Sequence, residues 1–308
     1  MIVRRESSTA AREKEDVMNK RMKKKGLLAF VVSACMVCVL AFALAGCSGG
    51  QNSTQNGNAQ SSNTADIKTL TVGFDPAYPP YGFVGDDGQY TGFDLDLAKE
   101  VCNRNGWEFK AEPIDWDAKD ALLGQGAINC IWNGFTMEGR EGQYTFSDPY
   151  MLNEQVVVVK SGSNISQLSD LSGKTVMTQV DSAALDVLET PAAEDGQADL
   201  AATFAGGAPQ TIGNYNDAFL QLDAGTVDAV ACDLSIAQYQ IAANPSKYTQ
   251  LSEALSTENY AVGFKLGNSE LAQKVTATLK EMAADGTVKQ LCEKYAQYGL
   301  SYDNWELK

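Results

Sequence analysis

The chain has 308 residues, a net charge of −15 and no histidine. The lack of imidazole excludes Ser-His-Asp and Cys-His nucleophile systems and every His-ligated metal site. Beyond residue 46 it carries fifteen Lys/Arg against thirty-five Asp/Glu, a balance that repels nucleic acid and anionic lipid headgroups. The length allows two modest lobes or one large α/β domain.

The first 25 residues are polar and end in Lys23-Lys24-Lys25; Leu27 to Ala45 then carry no charge. A basic flank, an apolar run and small residues at its end describe an export signal, although the run is nearly long enough to span a bilayer. Leu44-Ala45-Gly46-Cys47 resembles the lipobox of bacterial lipoproteins. That resemblance implies a signal peptide over residues 1–46, cleaved before Cys47, whose sulfur carries a diacylglycerol and anchors the protein to the membrane. Met1, Met18 and Met22 all remain open as the start. Residues 47–66 are almost wholly Gly, Ser, Asn, Gln and Thr, which bury too little to fold and read as a flexible tether.

The folded body begins near Ile67. Thr69 to Phe74 alternates like a strand, and Asp75 to Tyr81, with three prolines, reads as a rigid loop. Phe93, Leu97, Ala98 and Val101 recur at helical spacing, with Gly106 as the stop. A short helix is predicted over 117–123 and strands over 128–132, 156–159 and 175–178. Residues 190–210 are Ala/Gly-rich and show no clear period. A helix over 216–224, strands over 227–232 and 260–264, and two helices ending near Gly286 and Gly299 complete the chain. This alternation predicts α/β layers with largely parallel sheets. One internal echo appears: Leu123, Gly126, Ile128 and Ile131 recur as Leu222, Gly225, Val227 and Val230 at identical spacing. Helix, tight turn and strand thus occur twice, each strand running into polar residues, and ligands of open α/β sheets sit beyond such strand ends.

Cys102, Cys130, Cys232 and Cys292 are scattered singly with no CxxC, which argues against a zinc site or a disulfide framework. They read as buried small apolar residues, with one disulfide left open. Only two arginines follow residue 47, Arg104 and Arg140, against thirteen lysines. Arg140 stands just after an apolar run that ends in Asn133-Gly134, with Thr136 between. Its planar fork suits a carboxylate held by two parallel hydrogen bonds; the alternative is a surface ion pair with Glu138 or Glu141. Asp233 ends a buried strand and can cap the helix that follows.

Several phrases together resemble the extracytoplasmic amino-acid-binding proteins of ABC importers, the polar amino acid group called solute-binding family 3. They are Gly73-Phe74-Asp75 to Tyr81, Gly92 to Ala98, Ile114-Asp115-Trp116-Asp117, Trp132-Asn133-Gly134-Phe135-Thr136, Phe146 to Tyr150, Asp228-Ala229 to Asp233, and Asp285-Gly286-Thr287. The resemblance implies an α/β, two-lobed periplasmic-binding-protein-like fold (type II) with two hinge crossings. Lobe 1 would be residues 67–152 plus 257–308, and lobe 2 residues 153–256. A monomer on the outer face of the cell membrane would capture a polar amino acid and deliver it to an ABC permease, with no cofactor, no metal and no catalysis.

By the same resemblance Arg140 takes the ligand carboxylate, with the Thr136 hydroxyl, the backbone N–H near Asn133 and Gly134, and Gln179 to Ser182 from lobe 2. Asp233 takes the ammonium. Here Thr136 stands four residues before Arg140 where five is usual, and Val180-Asp181 replaces a usual Gly-Ser. Asp75, Tyr78, Tyr81 and Trp116 fall to side-chain recognition; Trp132 reads mainly as core. Asp75 facing the cleft would favour a cationic, amide or cystine-like side chain over Asp or Glu. Two alternatives stand beside transport. One is an amino acid sensor ectodomain. The other is a cyclohexadienyl-dehydratase-like enzyme on the same fold, which would need Asp75 or Glu258 as general acid.

Overall fold

In the computed structural model, residues 67–307 are described. The export signal, the lipidation expected at Cys47 and the tether over 47–66 lie outside them. The described residues belong to one compact unit. Among the described residues no helix is long and apolar enough to cross a membrane.

The chain runs β1 (Thr69–Phe74), β2 (Ala77–Tyr78), β3 (Gly82–Val84), β4 (Tyr90–Thr91), α1 (Phe93–Asn105), β5 (Glu108–Pro113), α2 (Lys119–Gln125), β6 (Cys130–Ile131), β7 (Tyr144–Phe146) and β8 (Met151–Lys160). It continues through β9 (Val176–Gln179), α3 (Ala183–Glu189), α4 (Ala198–Ala201), β10 (Gln210–Ile212), α5 (Tyr215–Ala224), β11 (Ala229–Asp233), α6 (Leu234–Ala243) and β12 (Tyr248–Gln250). Then come β13 (Ser256–Tyr260), β14 (Gly263–Lys265), α7 (Ser269–Ala284) and α8 (Thr287–Tyr295).

Two main sheets form, ordered β5-β1-β6-β14-β7 and β10-β9-β11-β8-β12, with β13 also on β8. Each has a parallel centre: β5 and β6 flank β1, and β10 and β11 flank β9. The expectation of largely parallel sheets needs correcting, because β14 and β8 pair antiparallel with their neighbours. The cause is connectivity. The chain leaves the first sheet after β7, returns to it as β14, and so must run back through the second sheet. β8 and β13 are the two connecting strands and pair with each other, Asn153 opposite Glu258 and Gln155 opposite Ser256.

Local sequence explains most elements. On α1, Phe93, Leu97, Ala98 and Val101 are buried, and Gly106 ends the helix at φ 69°, its N–H reaching the Asn103 and Cys102 carbonyls. The echoed segments are two such stops: Gly126 and Gly225 both adopt left-handed backbone after α2 and α5. β6 then enters the first sheet and β11 the second. Asp75 to Tyr81 is not only a loop, since Ala77–Tyr78 pair with β3 in a small third sheet with β4. The strand predicted over 260–264 is broken at Ala261–Val262, where the chain passes from β13 to β14. The four described cysteines are buried and free, and burial pushes the Cys102 and Cys292 thiols up to about 12.

Candidate ligand cleft

β6 runs into Trp132-Asn133-Gly134, and β11 ends at Asp233, so the two sheets present strand ends to one another. Between them lies a cavity of about 10 Å³ lined by Tyr78, Trp116, Gly134, Phe135, Thr136, Arg140, Gln179, Ser182, Ala183 and Asp233. That is room for about one water. Eight of the eleven expected binding residues therefore meet at one point from both sheets. Asp75 sits beside it, lining a neighbouring chamber of about 520 Å³ with Asp115, Trp116 and Asp117. Tyr81 and Asn133 do not line the cavity. Tyr81 packs against Phe93 and Tyr260 in the core, and the Asn133 side chain is buried without a partner beside the Gly82 backbone. Trp132 is fully buried in the core.

Arg140 is 8% exposed. Its Nη1 donates to the Thr136 carbonyl (3.2 Å), and its Nη2 to Asp186 Oδ2 on α3 (2.6 Å), across the cleft. The guanidinium carbon lies 5.2 Å from the Phe135 ring centre. The partner is thus neither Glu138 nor Glu141 but a carboxylate on the facing sheet's helix. Glu138 is occupied by the Asn259 backbone and side chain. The chain's other late arginine, Arg104, makes ordinary surface pairs with Glu100 and Asp285.

Asp233 does not cap α6, because its side chain makes no bond to the helix N-terminus. Its Oδ1 accepts instead from Gln155 Nε2 (2.7 Å), Tyr260 OH (2.8 Å) and Asn153 Nδ2 (3.1 Å). All three donors converge on Oδ1, and Asp233 lines the cavity. Gln155 and Asn153 also donate to Glu258 Oε1, which accepts the Thr136 hydroxyl as well (2.8 Å). Burial and the Asp233 charge push the Glu258 carboxyl up to about 7.

One expectation is corrected. The Gly134 N–H does not face the cavity as a carboxylate donor; it donates to the buried Asp94 Oδ2 at 2.6 Å, which also accepts from Tyr150 OH. Burial pushes Asp94 up to about 7. Gly134 is nonetheless required: its φ is +58°, and a Cβ there would lie 2.9 Å from the Tyr260 ring and 3.1 Å from Tyr78. Ser182 caps α3, accepting from Leu185 N–H, and donates to the Gln179 carbonyl. Gln179 Nε2 reaches Asp75 Oδ2 across the cleft (2.8 Å), and burial is the main cause that raises the Asp75 carboxyl.

Sequence reasoning missed several groups here. Lys119 is buried, sits over the Trp116 ring and bonds Asp181 Oδ2 at 2.5 Å; Trp116 Nε1 donates to the Asp181 carbonyl. Asp181 and Asp186 line a second flanking chamber of about 410 Å³ with Lys119 and Arg140. Asn153, Gln155 and Tyr260 on the connecting strands lie far from Asp233 in sequence. Among the described residues no group of His, Cys, Asp and Glu is arranged to hold a metal.

Two α/β lobes joined by two strands, with a polar cavity between opposed strand ends, define a hinged solute-binding protein. The model for bacterial extracellular solute-binding proteins, family 3, matches residues 70–298, and the chain belongs to that family. Among its relatives is the L-cystine-binding protein TcyJ of Escherichia coli (strain K12), 29% identical over 230 residues, which cover 74% of this chain and 82% of that protein. A substrate-binding protein of an ABC uptake transporter from Streptococcus pneumoniae, solved with bound histidine, superposes with a TM-score of 0.70 at 32% identity, covering 74% of this chain and 92% of that one. The ancestral amino-acid-binding protein AncCDT-1, a precursor of cyclohexadienyl dehydratase, superposes with a TM-score of 0.65 at 29% identity, covering 74% and 95%.

Proposed function

We propose that the chain is an amino-acid-binding protein of an ABC importer, which holds a polar amino acid between its lobes and presents it to a permease. The observation that carries this reading is that Arg140 and Asp233, one a carboxylate partner and the other an ammonium partner, line one cavity. A free amino acid brings a carboxylate and an ammonium, and burying either costs several kcal/mol unless each meets a partner. Arg140, Thr136 and Ser182 take the carboxylate; Asp233 takes the ammonium. Tyr78 and Trp116 flank the side chain, whose tip extends toward Asp75 and Asp115. The lobes, residues 67–152 with 257–308 and residues 153–256, part on the connecting strands to admit it, since the closed cavity has no room. Cys47 carries the lipid that keeps a monomer on the outer face of the membrane. The named relatives and neighbours bind amino acids, which favours this over a catalytic role.

The acidic lining at Asp75, Asp115 and Asp117, with no Lys or Arg in that chamber, favours a cationic, amide or cystine-like side chain. Titration calorimetry of the full chain against the twenty amino acids and L-cystine tests the reading. Binding near micromolar, about −8 kcal/mol, is expected for at least one polar member, with Asp and Glu weaker by about tenfold or more. Silence across the whole set, from correctly folded protein, would overturn it.

A further inference from the structure

Thr136 lines the cavity with a hydroxyl that has one proton to give. That proton now goes to Glu258 Oε1, behind the cavity wall. Glu258 is 3% exposed and lies on β13, one of the two strands that join the lobes. Its Oε1 gathers three donors, from Thr136, Asn153 and Gln155, the last two shared with Asp233. Among the described residues no lysine or arginine nitrogen bonds it. The charged and titratable groups around it are Asp233 on β11, Tyr260 two residues along its own strand, and Arg140, which reaches the Thr136 carbonyl.

An ionised Glu258 and a bound ligand carboxylate would compete for the single Thr136 proton. Charge-assisted hydrogen bonds are about twice as strong as neutral ones. A neutral acid at 258 therefore yields the proton to the ligand, whereas an ionised one keeps it and turns Thr136 lone pairs toward the ligand carboxylate. The assignment of Thr136 to the ligand carboxylate rests on the function proposed above.

We propose that Glu258 is a positioning residue of the binding site, acting through Thr136, and that it must be a neutral acid for the ligand carboxylate to be held. Binding is then accompanied by proton uptake at Glu258, and affinity falls as Glu258 ionises. Of the two carboxylates sharing the amides of Asn153 and Gln155, Glu258 is the one that gives its charge up.

The test uses the full chain, with L-arginine and L-glutamine as probes, since neither side chain titrates between pH 6 and 8. Wild-type affinity should weaken as pH rises through about 7, approaching tenfold per pH unit for a single linked proton. Titrations in two buffers of different ionisation enthalpy should register proton uptake. Glu258→Gln is isosteric with the neutral acid and should bind with the wild type's acid-side affinity, independent of pH. Thr136→Val should bind more weakly and lose most of the pH dependence. Proton release by the wild type, or a wild-type pH profile in Glu258→Gln, would overturn the proposal; the latter would move the titration to Asp94. Should Glu258→Gln not fold, the wild-type proton count still decides. If neither amino acid binds, a member of the calorimetric set that does bind replaces them, and silence across that whole set overturns the reading of the site. Melts of the ligand-free protein then test Glu258 alone: the variant should lose part of the wild type's stability decline between pH 5 and 8, and an unchanged decline would refute it.

Discussion

Arg140 and Asp233 each have an alternative role that the local sequence permits, and the geometry discriminates between them. Arg140 pairs across the cleft rather than with a neighbour, and Asp233 collects side-chain donors rather than capping a helix. Arg140→Lys should weaken amino acid binding by at least about tenfold despite the retained charge, because a planar fork becomes a point contact; calorimetry measures this. Asp233→Asn should cost about a hundredfold or more, since the ligand ammonium would then be buried without a counter-charge. Its melting temperature should stay close to wild type, because Asn Oδ1 still accepts the three existing donors. Gly134→Ala combines left-handed backbone with a ring contact near 2.9 Å, so a loss of about 1–3 kcal/mol in chemical denaturation is expected, with binding impaired.

The elements that the sequence marked well are those with one buried face and a definite stop, such as α1 with Gly106. β5 was not foreseen because it is an edge strand with alternating charge, paired only with β1, so its apolar signal is thin. β10 and β12, three residues each, are too short to carry a period. The loop from Gln179 to α3 makes contacts across the cleft. Asp181 there has φ +60°, accepts from Lys119, and offers its carbonyl to Trp116. Asp181→Ala should favour the open form and weaken ligand binding by about fivefold, modest because the Asp181 side chain is half exposed and screened. The fluorescence of Trp116 during rapid mixing should report it as faster ligand release.

At the scale of the molecule, two buried carboxyls, Asp94 and Glu258, are raised to about 7. The folded state holds these protons where the unfolded chain has already lost them, so stability should fall as pH rises from about 5 toward 8. The lowered acids Glu100, Asp223 and Asp285 act in the opposite sense, but their loss of stability belongs to acidification below about pH 4. Thermal melts across pH 5 to 8 should therefore show a decline toward the alkaline side; a flat or rising profile would mean that neither buried carboxyl titrates as placed.

The α/β class and the helix stops could be read from residue order, because hydrophobic period and turn chemistry are local properties; the proposed roles of Arg140 and Asp233 came from the family resemblance. The Gly134 N–H engaged by Asp94, the inward retreat of Tyr81 and Asn133, and the Glu258 network could not. Each depends on groups brought together from forty or more positions away, and a hydrogen bond is decided by which partner the folded chain places within about 3 Å. Sequence thus determined which kinds of group stand near the proposed site; tertiary structure decided which of their protons and lone pairs are already engaged within the protein.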